Sequence, residues 1–212
     1  MEYLVTMTTR VPAGTSDDAV DDVRAREAAR SSELANQGHL LRLWRPPLRP
    51  GEWRTLGLFA ADDDRQLEKV LTSMPLRIWR TDEVTPLSPH PNDPALSRSM
   101  PLSVKPSQGR ESVEFLTALS ITVPDGTPPQ VVDNIKEREA RRAHDLATQE
   151  RLIRLWTPPN RPGQWRTFGV WRAQDEADLT ATLESLPLYV WMTVVTTPLT
   201  PHPHDPVTGR RS

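Results

Sequence analysis

The stretch LLRLWRPPLRPGEWRTLG, Leu40 to Gly57, returns almost unchanged as LIRLWTPPNRPGQWRTFG from Leu152 to Gly169. Working outward from it, residues 2 to 94 match 114 to 206 at a constant offset of 112 without a gap, and about half of the paired positions are identical. A period this long repeats a whole domain, whereas solenoids and propellers repeat every twenty to fifty residues or so. The spacing predicts copy 1 over 1–94, a linker over 95–112, copy 2 over 113–206 and a short tail over 207–212. The linker, ALSRSMPLSVKPSQGRE from Ala95, is polar and holds two prolines and a glycine without a sustained apolar period.

Within copy 1, EYLVTMTTRV is rich in β-branched and aromatic residues and predicts a first strand, ended by Pro12 and Gly14. Ser16 to Gln37 contains no proline or glycine and places Val20, Val23, Ala28 and Leu34 at helical spacing. Two strands, Leu40 to Arg45 and Trp53 to Ala60, flank a proline-rich connection too long for a two-residue hairpin. Asp63 to Ser73 predicts a second helix with Leu67, Val70 and Leu71 inward, and Leu76 to Leu87 a last strand. The order βαββαβ is that of the α+β ferredoxin-like fold, with two helices over one face of a four-stranded antiparallel sheet. The uncovered face predicts that the two domains pack sheet to sheet as an intramolecular pseudo-dimer, of the dimeric α+β barrel type.

Composition narrows the function. The 212 residues carry 26 basic and 28 acidic side chains, for a formal charge of -2, so no broad attraction for nucleic acid is expected. With no cysteine there is no disulfide framework and no thiolate chemistry, which favours a reducing compartment, by default the cytosol. The start lacks the basic and apolar run of a signal peptide, and no segment approaches membrane-spanning length. The nine glycines form no phosphate-binding loop, and neither HExxH nor GxSxG occurs.

One helix residue is out of place. Val20, Val23, Glu27, Ser31 and Leu34 follow each other at steps of three or four, so Glu27 lies on the apolar stripe; copy 2 repeats this with Val132, Ile135, Glu139, Ala143 and Leu146. Desolvation raises the pKa of such a carboxyl unless a cation compensates, and a raised carboxylate is a base near neutral pH. The structural alternative is an ion pair with Arg24, Arg30 or their counterparts Lys136 and Arg142. Trp44, Trp53 and Trp79 recur as Trp156, Trp165 and Trp191, either as core or as a wall for a flat ligand. Gly57 and Gly169 would leave room beside that wall. Arginines recur too, Arg26 with Arg138, Arg42 with Arg154, Arg49 with Arg161, and Arg54 with Arg166, in a dispersed pattern suited to ion pairs or to a small carboxylate. His90 and His202, in PHP, are too isolated for a metal site and read as solvated or locally bonded.

In copy 1 the opening strand ending MTTRVP, the helix with RAREA, the strand ending LLRLWR, the aromatic third strand, SMPLRIW and the closing HP, with their counterparts in copy 2, resemble the muconolactone isomerase family, and the resemblance covers each copy nearly end to end. The resemblance implies a ferredoxin-like fold, a small lactone substrate of aromatic catabolism, no cofactor, assembly of subunits into dimers and larger rings, and a helix glutamate as proton carrier. Glu27 and Glu139 fall at that glutamate. Where the family tends to have tyrosine and asparagine on the third strand, this chain has Trp53 and Thr55. Trp79 and Trp191 stand at a usual tyrosine, and PPLRPG enlarges the preceding connection.

The expected activity is therefore a cofactor-independent 1,3-proton shift on a small unsaturated lactone or related carbonyl compound. Glu27 and Glu139 are its expected acid-base groups, and no metal is expected. Arg42, Arg54, Arg154 and Arg166, with Trp53, Trp79, Trp165 and Trp191, are the candidate substrate-binding residues. The alternatives are a cyclase, dehalogenase or cofactor-free oxygenase of secondary metabolism on the same scaffold, or a non-catalytic small-ligand module. The expected partners are a small-molecule substrate and, beyond the pseudo-dimer, further copies of the chain, with neither nucleic acid nor membrane.

Overall fold

A computed structural model describes residues 1–97, 112–160 and 164–208. The strands are β1 Glu2–Thr9, β2 Leu40–Arg45, β3 Trp53–Ala60, β4 Arg80–Pro89, β5 Val113–Ile121, β6 Leu152–Thr157, β7 Trp165–Ala173 and β8 Met192–Pro201. The helices are α1 Asp17–Asn36, α2 Asp64–Thr72, α3 Pro94–Ser97, α4 Pro129–Thr148 and α5 Glu176–Glu184. Two ferredoxin-like α+β units result, as the sequence predicts. Most of the expected linker, and Arg161, lie outside the described residues, as do the last four residues of the tail.

The compact units differ from the sequence repeats at one edge. Unit 1 comprises Met1–Leu87 with Thr200–Ser212, and unit 2 comprises Ser88–Leu199. In unit 1, β4, β1, β3 and β2 lie side by side, all antiparallel, and Thr200 and Pro201 pair with Arg45 and Trp44 at the end of β2. In unit 2, β8, β5, β7 and β6 follow the same order, and Ser88 and Pro89 pair with Thr157 and Trp156 of β6.

Caps explain the helix bounds. Ser16 accepts from the Ala19 amide at 3.4 Å at the start of α1, and Asp63 from the Gln66 amide at 2.8 Å at the start of α2. After α1, Gly38 takes φ 77, and the Gly38 and His39 amides donate to Ala35 and Leu34 in a Schellman turn. After α4 the same bonds form from Glu150 and Arg151, yet Glu150 holds φ 57 without being glycine. Over the helix face of each sheet sits a core: Tyr3, Val5, Phe59, Leu34 and Leu71 in unit 1, and Phe115, Trp171, Leu146 and Leu183 in unit 2.

The last predicted strand starts late. Pro75–Trp79 and Pro187–Trp191 form 3-10 turns, and β4 and β8 begin only at Arg80 and Met192. Proline fits the first position of such a turn because its missing N–H would have no partner there. The next amides, of Leu76 and Leu188, are left pointing out of the turn.

Candidate functional site

Those two amides meet the two glutamates. Leu76 N–H donates to Glu27 Oε2 at 2.8 Å, and Leu188 N–H donates to Glu139 Oε2 at 3.0 Å. Each carboxylate thus caps a short turn from a helix stripe otherwise made of Val23, Ser31 and Leu34 in α1 and of Ala143 and Leu146 in α4. Each also lines a cavity between that helix and its sheet, about 340 Å³ in unit 1 and about 460 Å³ in unit 2.

In unit 1, Glu27 has a cation. Arg80 Nη1 lies 3.1 Å from Glu27 Oε1, while its Nε and Nη2 donate to Asp82 at 2.7 and 3.1 Å. The Arg80 and Asp82 side chains are each 2% exposed, and Arg77 adds a second cation 3.2 Å from Asp82. Burial raises the Glu27 carboxyl above its ordinary range, the Leu76 amide and Arg80 oppose the rise, and Asp82 adds to it. Unit 2 has Met192 and Val194 at the equivalent positions. Glu139 is buried, burial raises its carboxyl, and only the Leu188 amide opposes that. Among the described residues, Glu139 takes part in no salt bridge.

The walls also differ. Trp53 and Trp165 both reach their cavities, each with a cation on its ring: Arg24 at 4.5 Å and Lys136 at 4.4 Å from the ring centroid. The space beside the β3 and β7 glycines is not a ligand slot, which corrects the expectation from sequence. A Cβ on Gly57 would come within 2.5 Å of Phe59, and one on Gly169 within 2.5 Å of the Trp171 indole nitrogen. Each glycine lets the aromatic residue two places on fold back over the strand. In unit 2 that indole donates to Thr117 Oγ1 at 2.9 Å and closes one side of the cavity.

Of the expected arginines only Arg166 lines a cavity, in unit 2. Arg54 pairs with Glu52 at 2.9 Å on the exposed side of β3. Arg42 and Arg154 point to the opposite sheet face, where strand alternation sends them, and are buried against Asp205 and Asp93. Asp205 receives two Arg42 nitrogens and the Leu43 amide, and Asp93 receives two from Arg154 and the Leu155 amide. Each guanidinium lies 4.6 Å from the ring of Trp44 or Trp156. These arginines are structural cations, not substrate ligands. Trp79 and Trp191 end the 3-10 turns, half-buried, outside the cavity linings, so the structure does not bring them to the site.

Two residues carry more weight than their isolation in sequence suggests. His90 lines the unit 2 cavity and His202 the unit 1 cavity. His90 Nδ1 accepts from the Asn92 amide at 3.1 Å, and His202 Nδ1 from the His204 amide at 3.2 Å, so each neutral ring carries its proton on Nε2. Burial lowers the His90 pKa, with Asp93 opposing, and burial, Arg45 and His204 push His202 down to about 4. Both are neutral donors at pH 7. The repeated PHP was the only signal for them, and R-T-D against M-T-V after the turn was the signal for the Arg80 clamp.

The sequence profile of the muconolactone delta-isomerase family matches residues 1–93 and 113–205. The chain belongs to that family. Muconolactone Delta-isomerase 1 of Acinetobacter lwoffii is 32% identical over 92 residues, covering 43% of this chain and 93% of that protein. Muconolactone Delta-isomerase of Cupriavidus pinatubonensis is also 32% identical over 92 residues, with 43% and 97% covered. One relative therefore corresponds to one copy. Among solved structures, a heme-binding protein from Thermus thermophilus matches with TM-score 0.57 and 8% identity over 96% of this chain and 93% of its own. A variant chlorite dismutase from Candidatus Nitrospira defluvii matches with TM-score 0.51 and 14% identity over 94% and 91%. At these identities the likeness is one of fold. Membership of the isomerase family makes this chain an isomerase by descent. No helix among the described residues is long and apolar enough to cross a membrane.

Proposed function

We propose that the chain is a cofactor-independent isomerase that moves a proton between two carbons of an unsaturated lactone, with a cavity glutamate as the acid-base group. One observation carries this reading: Glu139 is a buried carboxylate that forms no salt bridge among the described residues, and it faces a cavity whose apolar lining includes Leu119, Ile121, Leu186 and Met192. Desolvation strengthens such a carboxylate as a base. It takes a proton from the ring carbon conjugated through the double bond to the carbonyl. The electron pair spreads into a dienolate, and the new carboxylic acid returns the proton to the carbon beside the carbonyl as the double bond shifts. No oxidant, reductant or metal enters the balance. The His90 Nε2–H, Lys136 and Arg166 are among the donors in this cavity for the developing oxyanion. Trp165 and Trp171 favour a substrate larger and more apolar than muconolactone, acting in the cytosol of a cell that processes ring-derived lactones.

The test is turnover in deuterated water with muconolactone and with an uncharged, aryl-substituted butenolide. We expect deuterium in the product, higher kcat/KM for the aryl lactone, and a loss of about 10²- to 10⁴-fold when Glu27→Gln and Glu139→Gln are combined. Binding with neither isomerised product nor deuterium exchange would instead identify a ligand-holding module.

A further inference from the structure

We propose that the proton shift is confined to the unit 2 cavity, because Arg80 and Asp82 hold Glu27 out of the reaction; this rests on the acid-base reading above. Both oxygens of Glu27 are occupied, Oε2 by the Leu76 amide at 2.8 Å and Oε1 by Arg80 at 3.1 Å. Arg80 cannot easily swing aside. Asp82 grips it through two nitrogens, Met74 sulfur lies 3.7 Å from both terminal nitrogens, and Nη2 also reaches the Leu71 carbonyl at 3.5 Å. A carboxylate in such a pair must break a buried ion pair in order to accept a proton from carbon.

Glu139 faces none of this. Met192 and Val194 replace the clamp, Leu188 N–H holds only Oε2, and Oε1 accepts from no group among the described residues. One oxygen is anchored and the other is available, the arrangement a single group needs to remove and return a proton. The two cavities therefore share a scaffold and a glutamate but differ in whether that glutamate can titrate against a substrate. The family profile matches both copies alike and does not separate them.

The test uses the full chain and the same two lactones, reading deuterium uptake and kcat. Glu139→Gln should lower kcat by about 100-fold or more, and Glu27→Gln by less than the twofold expected of two equal sites. Grafting the unit 2 residues into unit 1, Arg80→Met with Asp82→Val, in the Glu139→Gln background should recover at least about tenfold of the lost rate by freeing Glu27. Should the graft misfold, the reciprocal Met192→Arg with Val194→Asp should slow the otherwise intact protein by about tenfold or more. Equal losses of about half from the two single glutamine variants overturn the division while leaving the acid-base reading standing. So does a larger loss from Glu27→Gln. Full activity in the double glutamine variant, or neither isomerisation nor exchange by the unaltered chain with either lactone, overturns both.

Discussion

The two units place a glutamate at the same helix position, against the same turn amide, and surround it differently. In unit 1 the carboxylate sits in a run of alternating charges, Glu27, Arg80, Asp82 and Arg77, each neutralising its neighbour. In unit 2 it lines the cavity beside Met192, and one of its oxygens accepts no hydrogen bond among the described residues. A buried ion pair and a lone buried acid are two solutions to the same desolvation cost. The first compensates the charge and the second leaves it poised. Duplication within one chain allows both, since one copy can change without removing the activity of the other.

The comparison first requires that the two units be alike where their sequences agree, and the largest effect tests this. Asp205 and Asp93 each accept two nitrogens of a buried arginine and a main-chain amide. Asp205→Ala and Asp93→Ala should each cost about 3–5 kcal/mol, because each strands a buried guanidinium. Urea unfolding measures both. Equal losses establish equivalent frameworks, and a near-neutral effect in either unit breaks the premise that only the sites have diverged.

Much of this framework was legible in the sequence. The helix limits near Ser16 and Asp63, the β2 and β3 bounds and the outlying helix glutamates were all read from the residue pattern, because local propensity and the fold agree there. Other features depended on partners far along the chain. Arg42 could be placed on a strand but not on a face, and its partner Asp205 lies 163 residues away. For Glu27 the structural alternative to an acid-base role was an ion pair with Arg24 or Arg30 on its own helix. It pairs instead with Arg80, after a turn that pattern reading had merged into the last strand. Gly57 and Gly169 signalled close approach, but by Phe59 and Trp171 of the same strand and not by a ligand.

A smaller effect sharpens the contrast between the glutamates through pH. Burial raises the Glu139 carboxyl, so the folded chain holds that proton more tightly than the unfolded chain does. The stabilisation is complete below the ordinary glutamate range and is lost as pH rises through the raised folded value. Glu139→Gln removes that loss and keeps an acceptor for the Leu188 amide, so the variant should melt above the parent at pH 7 and lose this advantage in acid. At Glu27 the same burial is opposed by Arg80 as well as by an amide, and its glutamine variant forfeits a charged hydrogen bond worth about 1.5–3 kcal/mol. Glu27→Gln should therefore melt no higher than the parent at pH 7. Matching upward shifts in the two variants would mean that Arg80 does not compensate Glu27.

The smallest effect lies away from both cavities and separates the units by their backbone alone. Gly38 and Glu150 occupy the same place after the first helix of each copy, both in the left-handed region, with the same Schellman hydrogen bonds. Glycine reaches that region without steric cost, while a residue with a Cβ pays about 1 kcal/mol or somewhat more. Glu150 recovers little of this, because its carboxylate lies 3.8 Å from Arg172 and is 43% exposed. Glu150→Gly should accordingly stabilise the chain by about 0.5–1 kcal/mol even though glycine gains entropy on unfolding, and Gly38→Glu should destabilise it by a similar amount. Both can be read from urea midpoints at constant slope. Either change made alone would give the two helix ends the same residue. If Glu150→Gly instead weakened the chain, the ion pair with Arg172 would outweigh the backbone, and unit 2 would have replaced a conformational solution with an electrostatic one at its helix end, the reverse of the exchange between Glu27 and Glu139.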